Sequence, residues 1–219
     1  MLKLVIIDLD DTIVNYTFAH SIAFDTLLQA ISTEVNMSYN EINNIHTTVK
    51  HKLYQDYDKQ FIRHDKLLQL KLLCNQLKLT NVATILKLYN LYETTYLKNI
   101  NLCENCTDFL DFCKNKGFKV AIMTNNLLHI QLKVCTQLNL HHYIDAVFTS
   151  NEFLYEKPDK ECLHYILKHY NVSNDEVIII GDSIINDIQW GIKNNIKTFL
   201  CDHKTVETSF KNCIKLLSI

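Results

Sequence analysis

Asp8, Asp10, Thr124, Lys157, Asp182 and Asp187 are residues whose types and spacing could do chemistry together. They fall in short polar segments that follow apolar runs: Asp8-Leu9-Asp10-Asp11-Thr12, Thr124-Asn125-Asn126 and Gly181-Asp182-Ser183 with Asp187. Lys157 stands before the only proline. Asp8 and Asp10 are two apart, so an extended backbone that persisted through them would project both from one side. Asp182, directly after Gly181, can face them. Two unit charges about 4 Å apart repel by roughly 4 kcal/mol at an effective dielectric near 20, so gathered carboxylates demand a cation. Oxygen ligands with room for water and phosphate suit Mg2+ better than zinc.

Such residues need elements that deliver them to one edge. Residues 2–9 form a short run rich in Val and Ile that predicts a fully buried strand. From about residue 18 to 97 the spacing turns helical and predicts four helices, near 18–32, 39–56, 60–78 and 81–97. In the third, Leu67, Leu70, Leu73 and Leu77 make one stripe with Lys66, Gln69 and Gln76 elsewhere, which favours a small bundle over a zipper. After residue 100 the elements alternate. A helix at 105–116 stopping at Gly117 precedes a strand at 118–123, a helix at 127–138, a strand at 146–149 and a helix at 159–169. A strand at 177–180, a helix at 184–194, a strand at 197–200 and a helix near 204–217 complete the chain. Strands separated by single helices, with continuous apolar character, mean a parallel sheet covered on both faces. The expected fold is therefore α/β, a Rossmann-like core of residues 1–16 and 98–219 with a helical bundle, 17–97, inserted after the first strand. Ligands of open parallel sheets bind at the carboxyl ends of the strands, where these polar segments lie.

Composition narrows the partners. The 219 residues are 47% hydrophobic and 21% charged, too apolar for disorder, and the net charge of −2 offers no field to hold a nucleic-acid polymer or a membrane surface. No apolar run approaches a membrane span, and the first is broken by Asp8, so a soluble, cytoplasmic protein is expected. The eight cysteines, with no secretory signal, fit free thiols in a reducing compartment. Cys103 and Cys106 have the opening spacing of a zinc site but no second pair follows, so these and Cys113 are expected to be small buried side chains.

The four segments, in this order and each after the element expected to carry it, resemble the motifs of haloacid-dehalogenase-superfamily phosphatases. The resemblance covers roughly residues 1–16 and 100–203, and residues 156–200 look most like the subgroup of pyrimidine nucleotidases and N-acylneuraminate-9-phosphatases. It implies a Mg2+-dependent hydrolase of small phosphomonoesters, nucleoside monophosphates or sugar phosphates, with the helical block as a C1 cap. Carried over residue by residue, Asp8 is the nucleophile that forms an aspartyl-phosphate, and Asp10 is the general acid and then base. Thr124 and Asn125 would bind the phosphoryl group through a hydroxyl and a backbone amide, and Lys157 would neutralise charge. Asp8, the Asp10 carbonyl and Asp182 would hold Mg2+, with Asp187 in support. Asn126 departs from the glycine common there; its tolerance of left-handed backbone is expected to preserve the loop.

Each segment alone also fits a helix cap or a turn. A receiver domain would need its acceptor Asp after the middle strand, where Thr124 and Asn125 stand. A true dehalogenase has no use for Asp10 as proton donor. A phosphomutase-like phosphotransferase and a non-catalytic binding protein of this fold remain as alternatives. In the helical block, Arg63 is the only arginine and suits a substrate carboxylate or second phosphate, while Tyr16, His20, Lys52 and Tyr54 are weaker pocket candidates. A small phosphorylated metabolite as partner and a monomer or homodimer complete the expectation.

Overall fold

Every residue of β1 (Leu4–Ile7) is buried, because the strand has parallel partners on both sides and helices on both faces. The computed structural model describes residues 1–58 and 60–218. After β1 come four long helices, α1 (Tyr16–Val35), α2 (Tyr39–Asp56), α3 (Lys66–Gln76) and α4 (Val82–Asn99). The chain then alternates: α5 (Cys106–Asn115), β2 (Lys119–Thr124), α6 (Leu128–Gln137), β3 (Ala146–Thr149), α7 (Ser150–Phe153) and α8 (Lys160–Tyr170). It finishes with β4 (Val177–Gly181), α9 (Gln189–Lys193), β5 (Lys197–Leu200) and α10 (Phe210–Leu217). Two compact units result: Met1–Tyr16 with the chain from Asn101 onward, and Thr17–Ile100.

In the first unit the sheet order is β3-β2-β1-β4-β5, with all pairs parallel. The chain steps outward from β1 in both directions, so the carboxyl ends of β1, β2 and β4 lie side by side at the switch point. Ile7 is level with Ile122 and with Ile180, which puts Asp8, Thr124 and Asp182 within two residues of one line across the sheet. One face is sealed by Ile6, Met123, Phe148, Leu163, Ile166, Ile179 and Trp190. Trp190 is fully buried and its Nε1–H donates to Asp159 O (2.9 Å), which ties α9 to the segment after Pro158. At the end of α5, Gly117 takes φ +72 while Gly117 N–H and Phe118 N–H bond to Lys114 O and Cys113 O, a closure that favours glycine.

Two helices of this unit differ from their sequence pattern. The helix expected at 184–194 opens with a π turn, Ile184–Ile188, in which Ile188 N–H reaches back to Ser183 O (3.2 Å). The helix expected from 204 begins only at Phe210. Asp202, Thr205, Thr208 and Ser209 bond to nearby backbone and to one another, and this local network competes with helix between 202 and 209.

In the second unit α1 buries Ala19, Ala23, Leu27, Leu28 and Ile31, and α4 buries Ile85, Leu88, Tyr92 and Tyr96. Ser38 and Glu41 close a capping box on α2. The third helix starts at Lys66, not at 60, because the Asp65 carboxylate accepts from Leu67 N–H (2.8 Å) and Leu68 N–H (3.0 Å); residues Phe61–His64 form a separate 3-10 turn. The Leu stripe is also displaced: Leu67 is exposed, while Gln69 is buried with Leu70, Leu73 and Cys74 and donates through Nε2 to Arg63 O (2.6 Å). Among the described residues no helix is long and apolar enough to cross a membrane.

Candidate active site

The first residue beyond β1, Asp8, donates its backbone N–H to Ile180 O of β4 (2.9 Å), so its side chain leaves the sheet at the shared carboxyl edge. Asp8 Oδ1 accepts from Lys157 Nζ at 2.6 Å, and the same ammonium donates to Asp187 Oδ1 at 2.6 Å. Lys157 is 4% exposed and Asp187 1%. Carboxylate oxygens of Asp8, Asp182 and Asp187 all lie within 4.8 Å of one another, which makes this the one such cluster of possible metal ligands among the described residues.

Local backbone explains how each arrives. Asp182 follows β4 directly. Asp187 is turned back toward the sheet by the π turn and accepts from Ser183 N–H through Oδ2 (3.1 Å). Gly181 is what lets it approach: a Cβ there would sit 2.2 Å from Asp187 Oδ2. Lys157 belongs to no regular element. Its backbone is clamped by the Asn125 side chain, whose Oδ1 accepts from Lys157 N–H (2.8 Å) and whose Nδ2 donates to Lys157 O (3.1 Å). Ser150 Oγ donates to that same Oδ1 (2.8 Å). The Asn125 side chain therefore positions Lys157.

Asp10 stands apart from the acid cluster. The extended backbone that would align it with Asp8 stops at Ile7: Asp11 takes φ 59, and Ile13 and Val14 N–H close back on Leu9 O. Asp10 Oδ2 instead accepts from Gln131 Nε2 (2.8 Å) and Asn126 Nδ2 (3.2 Å). Asp10 Oδ1 is buried with no hydrogen-bond partner. The tolerance of Asn126 for left-handed backbone is not called on, since its φ is not positive; its side chain reaches Asp10 and, through Oδ1, accepts from Leu127 N–H (2.9 Å). Thr124 Oγ1 accepts from Asn126 N–H (3.1 Å) and Gln131 Nε2 (3.2 Å). With both lone pairs used, the Thr124 proton remains to be donated.

The electrostatics follow from this crowding. Burial pushes the Asp8 carboxyl well above its usual range; Lys157 pulls against that, while Asp187 and Asp10 add to it. Burial raises Asp10 to about 6, moderated by the hydrogen bonds from Asn126 and Gln131. Asp182 is raised by burial and then by Asp187 and Asp11. Burial opposes the Lys157 charge, yet Asp187 and Asp8 together outweigh it and hold the ammonium pKa above its ordinary value. Three carboxylates thus face one ammonium. An all-oxygen donor set with excess negative charge fits a hard divalent cation such as Mg2+, and contains none of the thiolate or imidazole that zinc prefers.

Gln131 was the residue hardest to see in the sequence. It sits on the buried stripe of α6 with Val134 and Cys135, and a polar residue in that register is the signal that marks it. The cap candidates lie in the second unit, apart from Tyr16, the last residue of the first segment. Arg63 Nη1 is 3.4 Å from Asp58 Oδ1 and its guanidinium lies 5.3 Å over the Tyr54 ring. His20 shares a hydrogen bond with Tyr92 OH (2.8 Å). Cys106 and Cys113 are buried and Cys103 half-buried, all with free thiols.

Residues 5–201 match the profile of the haloacid dehalogenase-like hydrolases, a span that takes in all four polar segments. The chain belongs to this family. This hydrolase is 26% identical over 190 residues to glyceraldehyde 3-phosphate phosphatase of Methanocaldococcus jannaschii, covering 86% of the chain and 80% of that protein. It is 26% identical over 109 residues to N-acylneuraminate-9-phosphatase of Homo sapiens, covering 50% of the chain and 44% of that protein. Among solved structures, the HAD-hydrolase YfnB of Bacillus subtilis, bound to magnesium, matches with a TM-score of 0.72 at 21% identity, covering 100% of this chain and 99% of that one. At that identity the structural likeness is one of fold. The hydrolase is an enzyme whose relatives include named phosphatases.

Proposed function

We propose that this hydrolase is a Mg2+-dependent phosphatase of small phosphomonoesters, sugar phosphates foremost, and that it works through a phosphoryl ester on Asp8. The observation that carries the reading is the division of labour between two carboxylates. Asp8 is ion-paired with Lys157, whose charge opposes the protonation that burial favours and holds the attacking oxygen, while Asp10 is held by neutral amides with its pKa raised to about 6, which suits proton transfer.

In this reading an oxygen of Asp8 attacks phosphorus, and the bond from phosphorus to the substrate's ester oxygen breaks. Asp10 gives its proton to that leaving oxygen, so the alcohol departs neutral. Asp10, now a carboxylate, takes a proton from water as the water attacks the acyl phosphate, and the bond between phosphorus and Asp8 breaks to release inorganic phosphate. Lys157 holds Asp8 and balances the charge of the transferring group, and the Thr124 hydroxyl donates to a phosphoryl oxygen. Asp8 and Asp182, the Asp10 carbonyl and, in support, Asp187 would hold Mg2+, which when bound supplies positive charge against the phosphoryl oxygens. Sugar phosphates are preferred on the strength of the relative named for glyceraldehyde 3-phosphate; nucleoside monophosphates are the comparison class.

A panel of sugar phosphates and nucleoside monophosphates, assayed for inorganic phosphate with Mg2+ and with chelator, tests this. Turnover that requires Mg2+ and vanishes in Asp8→Asn is expected. Turnover that survives in Asp8→Asn would overturn the reading.

A further inference from the structure

We propose that Gln131 and Asn126 are positioning residues for Asp10, fixing one carboxylate oxygen so that the other delivers the proton to the leaving group. The inference rests on the role of Asp10 given above. Two amide donors converge on the same oxygen, Oδ2, while Oδ1 is buried and without a hydrogen-bond partner. An acid held at both oxygens could not reach a substrate without breaking a bond; one held at a single oxygen is oriented and still free to act.

The donors are themselves fixed. Leu127 N–H occupies Asn126 Oδ1, which leaves Asn126 Nδ2 facing Asp10. Gln131 is fully buried on α6, and its Nε2 also donates to Thr124 Oγ1. One amide group therefore sets the spacing between the proton-transfer residue and the hydroxyl assigned to the phosphoryl group. Asn126 adds a second link, since its N–H donates to the same Thr124 oxygen. Thr124, Asn126 and Gln131 form a bracket built from the end of β2 and the start of α6. The side chain of Asn126, at a position where the family pattern has glycine, is half of that bracket.

Leaving-group dependence separates this role from a merely structural one. The ratio kcat/KM reports the steps up to transfer of the phosphoryl group. An alkyl phosphate such as glycerol phosphate needs a proton on its departing oxygen, whereas p-nitrophenyl phosphate releases p-nitrophenolate, a stable anion, without one. The experiment compares wild type, Asn126→Gly, Gln131→Met and Asp10→Asn on both substrates with Mg2+. A misplaced acid costs on the order of tenfold to a hundredfold, so Asn126→Gly, which keeps the backbone N–H to Thr124, is expected to lose about tenfold or more in kcat/KM on the alkyl ester while staying within about threefold on the aryl ester. Gln131→Met, which also releases Thr124, is expected to lose on both esters but about tenfold more on the alkyl one. Asp10→Asn is expected to show the same selectivity at larger size, because removing a general acid costs about 10² to 10⁴.

Equal losses on both esters, or no loss, in Asn126→Gly and Gln131→Met alongside a selective Asp10→Asn would overturn the bracket alone. Equal losses in Asp10→Asn itself would overturn the acid role beneath it. Should Gln131→Met fail to fold, Asn126→Gly, in a partly exposed loop, decides the matter.

Discussion

The Lys157 ammonium stands 2.6 Å from Asp8 Oδ1, and both side chains are almost entirely withdrawn from water, with 3% and 10% exposed. The pair is one half of a bridge, because the same nitrogen reaches Asp187. A buried ion pair contributes little by its presence, but removing one partner leaves uncompensated charge. Lys157→Met should therefore abolish turnover and lower the free energy of unfolding by about 3–5 kcal/mol. Added Mg2+ should recover part of that stability by standing in for the missing charge. Urea unfolding with and without Mg2+ reads both effects; a variant as stable as wild type would show that the acids do not depend on the lysine.

Gly181 tests the approach of Asp187. A methyl group at this position would stand 2.2 Å from Asp187 Oδ2, closer than any relaxed contact, so Gly181→Ala must displace the carboxylate. The expected result is a loss of about 1–3 kcal/mol in stability, typical of overpacking, with a larger fall in kcat than such destabilisation explains. Urea unfolding and steady-state kinetics measure the two. Unchanged kcat would remove Asp187 from the site's function.

Acid sensitivity should appear in the helical unit. Burial lowers His20 to about 3 and His46 to about 4, with Lys66 and Lys50 adding to both and His46 to His20. His20 also meets Tyr92 OH, and Phe24 packs against both imidazoles. The folded pKa values lie below the ordinary 6.5, so the unfolded chain binds more protons and stability falls as pH drops below about 6.5 toward 4 and 3. Above pH 6.5 these groups contribute no pH dependence. The thermal midpoint measured from pH 7.5 to 5 should fall less steeply in His20→Gln and in His46→Gln than in wild type. Parallel curves would show that neither histidine is held neutral by the fold.

The sheet was legible because its central strands are built on uninterrupted apolar runs, Leu4–Ile7, 120–123 and 177–180, and the polar residues after them marked the active edge. Strand order was not legible, since nothing in a buried apolar run specifies its neighbour. The π turn at Ile184–Ile188 was hidden for a related reason: helical spacing does not distinguish a wide turn from an ordinary one, and the steric demand of Asp187 on Gly181 is visible only in three dimensions. Asn126 shows the limit most clearly. Its residue type suggested backbone tolerance, yet its contribution is a side-chain bond to a residue 116 positions away.

The central claim is that Asp8 carries the phosphoryl group during turnover. Wild-type enzyme mixed with a labelled phosphomonoester and Mg2+, then quenched in acid within one turnover, should yield a phosphorylated peptide mapped by mass spectrometry to Asp8 and discharged by hydroxylamine. Phosphate release with no label on the protein at any time within the turnover, or label on another residue, would contradict the account.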